Sequence, residues 1–93
     1  MPYIEEKERE QLRPYLAEVV RKITDMPGPA LDYGYAGRLN YAITTLALGV
    51  YPRKRYWILA LVVGVFVTAL LEYYRRWVAP YEDDKIRENG DVY

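Results

Sequence analysis

From Tyr56 to Leu71 sixteen residues, YWILALVVGVFVTALL, pass without a charge. A helix of this composition is apolar on every face, so it must be covered on every side, by protein or by lipid. Aromatics and arginines bracket it: Tyr56 and Trp57 at one end, then Tyr73, Tyr74 and Trp77, with Arg53, Lys54 and Arg55 before it and Arg75 and Arg76 after it. The question of what covers this helix governs everything else the chain can be.

Length narrows the answer. Sixteen helical residues rise about 24 Å, against about 30 Å of bilayer hydrocarbon. The flanking aromatics resemble a membrane belt, but basic residues stand at both ends and set no orientation. The soluble alternative has its own demand. In 93 residues only one further apolar helix and one amphipathic helix are at hand, so other copies of the chain must complete the cover. Small residues mark the closest approach: Ala60, Gly64 and Thr68 recur every four positions, as do Thr45 and Gly49 upstream. The expected oligomer contact is therefore Ala60, Gly64, Val67, Thr68 and Leu71.

The rest of the chain reads as helix with short connections. Leu12, Tyr15, Leu16, Val19, Val20 and Ile23 form an apolar stripe at helical spacing. Pro14 suits the first turn of a helix and breaks an interior, which predicts helices over about 5–12 and 14–24. The run MPGP stops the second, and ALDYGYAG reads as a loop. A helix over about 38–51, the basic link PRKR, the long helix over about 55–78 and a last helix over about 81–89 follow, with Gly90 as a C-terminal stop. The expectation is one all-α domain spanning 1–93, a small helical bundle with one long central apolar helix, completed by homo-oligomerisation.

Composition removes most chemistry. The chain has no cysteine and no histidine, which excludes disulfides, thiolate nucleophiles, histidine-assisted catalysis and soft-metal sites. Basic and acidic residues balance at thirteen each, unlike a dedicated nucleic-acid binder. The acidic, polar start MPYIEEKERE does not read as a signal peptide, and a cytoplasmic protein is expected. Glu5 and Glu8, three apart in a cluster with Glu6 and Glu10, offer carboxylates for magnesium, as in all-helical nucleotide pyrophosphatases. A second carboxylate pair on another helix is missing, and an alternating run of this kind is usually a solvated face. No catalytic, cofactor-binding or metal residue is therefore assigned, and no cofactor is expected. Tyr73, Tyr74, Trp77 and Tyr81 read as bundle packing before a base-stacking platform.

The tail EYYRRWVAPYEDDKIRENGDVY, Glu72 to Tyr93, resembles the C-terminus of a family of short prokaryotic and phage proteins known only as a domain of unknown function. The resemblance extends weakly to LNYAIT at Leu39–Thr44 and to MPYI at the start. It implies that relatives keep the glycine of Gly64 but carry a glutamate at the place of Val67 and a lysine at that of Leu70. A family that accepts those charges is soluble, and their loss here implies stronger self-association. The expectation is thus a non-enzymatic structural or interaction protein that binds itself, as a dimer or larger, and an unidentified macromolecule, with no specific nucleic-acid binding expected from its charge balance. Two alternatives stand beside it: a small membrane protein with a helical hairpin over 38–51 and 56–77, and the pyrophosphatase-like enzyme. Within the tail, Arg75, Arg76, Tyr81, Glu82, Asp83 and Ile86 are expected to dock residues 81–93 back onto the bundle or a neighbouring subunit, the arginines pairing forward with the acids.

Overall fold

The computed structural model describes residues 4–28 and 34–93. These are helical throughout apart from short links, with no strand among the described residues. The chain divides into two compact units, Met1–Leu48 and Gly49–Tyr93.

In the first unit α1 runs Glu6–Asp25 as one helix with Pro14 inside it. The break expected at Pro14 does not occur. Lys7 to Arg13 are all strong helix formers, and the start is held by the Glu8 and Arg9 amides, which donate to the Glu5 carbonyl at 3.1 and 3.0 Å. Proline forfeits one backbone hydrogen bond there; it does not end the helix. Arg9 also donates through Nη1 to the Ile4 carbonyl at 2.8 Å.

The helix α2 spans Tyr35–Val50, three residues earlier than the sequence predicts. The reason lies in its first turn. Tyr35 Oη donates to the Thr24 carbonyl at 3.4 Å, and Arg38 lies over the Tyr35 ring at 5.9 Å. Residues three apart share a helix face, so helical backbone from Tyr35 brings both side chains to the end of α1. Of the loop expected over 30–37, residues 30–33 lie outside the described residues.

In the second unit α3 runs Tyr56–Tyr73, a π-turn covers Tyr74–Val78, and α4 spans Ala79–Asn89. The break expected between 78 and 81 is absent: the helix continues through Pro80. Pro80 has no N–H to give and its ring crowds the carbonyl four residues back. The wider π-turn relieves that crowding, with the Ala79 amide donating to the Tyr74 carbonyl, five residues earlier. At the far end Gly90 takes φ 86°, and its amide caps the Ile86 carbonyl. A positive φ there favours glycine, which has no Cβ to clash.

Candidate interaction surface

The surface of α3 is built from its composition. Ile58, at 5 % exposure, is its one buried residue. Leu59, Leu61, Val63, Val65, Phe66, Val67, Leu70 and Leu71 all remain exposed. Ala60, Gly64, Val67, Thr68 and Leu71 lie along one stripe, and every one is exposed. A Cβ added at Gly64 would meet nothing within 4 Å, so the space beside it is unfilled within the chain. Thr68 Oγ1 donates to the Gly64 or Val65 carbonyl, both at 3.0 Å. That bond satisfies the hydroxyl inside its own helix, so burying Thr68 against a neighbour strands no polar group.

At the C-terminal end of α3, charges pair in a different order from the one predicted. Arg75 and Arg76 reach back to Glu72, at 2.8 and 3.6 Å, instead of forward to the acids of α4. Three and four residues apart on one helix, Glu72 and the two arginines are neighbours. Arg76 also lies 5.5 Å from the Trp77 ring, and Tyr73 stacks on Trp77 at 5.8 Å. The partner of Glu82 is Tyr74, whose hydroxyl donates to its carboxylate at 2.7 Å.

That last contact follows from the π-turn. In a regular helix residues seven apart nearly eclipse, at about 100° per residue, whereas residues eight apart diverge. The π-turn takes up one extra residue, and Tyr74 and Glu82 return to one face. The hydrogen bond to Glu82, then the fields of Glu82 and Asp83, raise the Tyr74 phenol above its ordinary 10.0. Asp84 pairs with Arg87 and Lys85 with Glu88, each three residues apart, and Lys85 stands 5.5 Å from the Tyr81 ring. Ile86 stays 41 % exposed, and Val92 and Tyr93 are almost fully exposed. Within the second unit, then, the tail residues are brought together with the end of α3 by helix continuity and not by folding back.

Sequence reasoning missed Arg38. Its Nη1 donates to the Ile23 and Met26 carbonyls at 2.6 and 3.2 Å, and its Nη2 to the Pro27 carbonyl at 2.9 Å. The last carbonyls of a helix have no intrahelical partner, and a forked guanidinium suits several of them at once. The signal was available: Arg38 is the one base between Lys22 and Arg53.

Elsewhere α2 carries an open groove lined by Ala36, Gly37, Asn40, Tyr41 and Thr44. Among the described residues, no group of three or more carboxylates gathers to hold a metal ion. Glu5 precedes α1 and makes no side-chain cap, while Glu6 and Glu8 lie in its first turn.

A family profile described as "Domain of unknown function (DUF6899)" matches residues 1–92. The chain belongs to the DUF6899 family. No curated protein and no solved structure matches it. DUF6899 membership covers the whole helical succession, from α1 through the π-turn to the end of α4.

Proposed function

We propose that this DUF6899 chain is a non-enzymatic assembly protein, a helical homo-oligomer in which α3 of each copy packs on α3 of another. The observation behind this reading is the exposure of α3 on all its faces beside a single buried residue, Ile58. Fully burying a leucine, valine or phenylalanine is worth about 1.5–3 kcal/mol. Apolar side chains of α3 such as Val67 and Leu71 are about half exposed, so each one that a neighbouring α3 covers contributes about 1 kcal/mol. The open space at Gly64 and the satisfied hydroxyl of Thr68 support close approach along the same stripe. The assembled surface would then engage another macromolecule, in the cytoplasm and, as the family resemblance implies, in a phage–host setting. Light scattering in detergent-free buffer tests the assembly, and capture from a native lysate tests the partner.

A second reading has its own observation. The continuous helix Tyr56–Asn89 is long and apolar enough to cross a membrane by length and composition. In the hairpin over 38–51 and 56–77, lipid would cover α3 instead of protein. The uncharged run is about 24 Å long, short of the hydrocarbon, and favours the protein-covered reading. Release from membranes by high salt, or only by detergent, separates the two.

A further inference from the structure

The two ends of α3 differ electrostatically although both carry bases. At the far end Glu72 pairs with Arg75 and Arg76, and Glu82, Asp83 and Asp84 follow. At the near end Arg53, Lys54 and Arg55 are exposed, and none pairs with a carboxylate among the described residues. No acidic residue stands in the sequence between Asp32 and Glu72 to pair with them locally. These bases sit on the non-helical link between α2 and α3. Exposed aromatics flank them: Tyr51 before, Tyr56 and Trp57 after, the last two 87 % and 63 % exposed. Ile58 and the uncharged body of α3 come next.

We propose that this link, Tyr51 to Trp57, docks on the surface of an anionic phospholipid bilayer. Arg53, Lys54 and Arg55 take the headgroup phosphates, and Tyr56 and Trp57 seat at headgroup depth. Amphipathic aromatic rings favour the membrane–water interface, and a juxtaposed basic run is drawn to an anionic leaflet. Nucleic acid fits less well. The chain has no net charge, and the second unit carries an acidic tail that phosphate-backbone binding would have to overcome. The docking is peripheral, belongs to one end of each copy, and does not depend on how the body of α3 is covered.

The test is co-sedimentation of the full chain with vesicles of phosphatidylcholine alone or mixed with phosphatidylglycerol, at low and high salt. Binding to the mixed vesicles only, lost at high salt, is the expected result. Each cation near an anionic surface is worth about fivefold in binding, so Arg53→Gln/Lys54→Gln/Arg55→Gln should bind about a hundredfold more weakly. Arg75→Gln/Arg76→Gln should bind as the parent. In a Trp77→Phe background, the Trp57 emission should shift to the blue on anionic vesicles, which reads the docking without altering the bases. Equal binding to neutral vesicles, an unaffected triple variant, an unmoved Trp57 emission, or equally tight capture by duplex DNA would each overturn the proposal. Light scattering on the same samples keeps the questions apart: a monomer that still docks on anionic vesicles sinks the assembly reading and leaves this one standing.

Discussion

The guanidinium of Arg38 donates through Nη1 to the carbonyl oxygen of Ile23 at 2.6 Å, fifteen residues earlier in the chain. Within the first unit this ties the start of α2 to the end of α1. Hydrogen bonds from a charged donor are worth about 1.5–3 kcal/mol when buried, and Arg38 is half-buried. Arg38→Met should therefore cost about 1–2 kcal/mol in urea unfolding. Arg38→Lys should recover only part of that, because an ammonium lacks the planar fork.

Gly28 is coupled to the same device. It takes φ 146°, and the Arg38 guanidinium occupies the place of a Cβ. Gly28→Ala should destabilise by about 1 kcal/mol, through backbone strain and displacement of Arg38. In a double-mutant cycle the cost should shrink once Arg38→Met has removed the guanidinium. Strict additivity of the two changes would mean that Gly28 and Arg38 act separately.

Tyr74 provides a pH prediction. Its phenol is raised above 10.0, first by the hydrogen bond to Glu82, so the folded chain holds that proton more tightly than the unfolded one. The contribution is fully present below the ordinary phenol value and is lost as pH rises through the raised one. In a carbon-labelled tyrosine titration by NMR, Tyr74 should titrate above an unperturbed tyrosine. Glu82→Gln should bring it down.

The π-turn can be tested through the same signal. Pro80→Ala restores an amide donor and removes the ring clash, which lets the segment relax to a regular helix. Tyr74 and Glu82 would then diverge by about 80°, and the Tyr74 titration should fall as it does in Glu82→Gln. An unchanged titration would mean that something other than Pro80 sets the turn.

The exposed ion pairs should matter little. Asp84→Asn, which breaks the pair with Arg87, should change stability by less than about 0.5 kcal/mol, read from thermal melts. A larger loss would assign that pair a role beyond its solvated position on α4.

Much of the helical succession was legible because it rests on local rules. The apolar stripe from Leu12 to Ile23 and the uncharged run from Tyr56 to Leu71 each mark a helix by spacing alone. Both prolines misled for one reason: a proline forbids one hydrogen bond, and neighbours decide whether the helix ends. At Pro14 strong helix formers carry α1 through; at Pro80 a π-turn absorbs the ring. The stripe at Ala60, Gly64 and Thr68 was visible in the spacing, whereas the Arg38 contacts and the Glu72–Arg75 pairing were not. Those depend on which groups the folded backbone brings together, and residue order alone does not rank the possible partners.

Mass in detergent-free buffer, measured by light scattering on the parent and on Gly64→Leu, tests the assembly through α3 most directly. Gly64 sits in open space within its own chain, so in a monomer leucine would only improve helix propensity, by about 1 kcal/mol. Against a neighbouring helix the same bulk costs about 1–3 kcal/mol by overpacking. The account predicts a dimer or larger species for the parent, and for Gly64→Leu a smaller mass with a lower melting temperature. A monodisperse parent monomer, a protein released from the membrane pellet by detergent but not by high salt, or a Gly64→Leu variant that assembles and melts like the parent would contradict it.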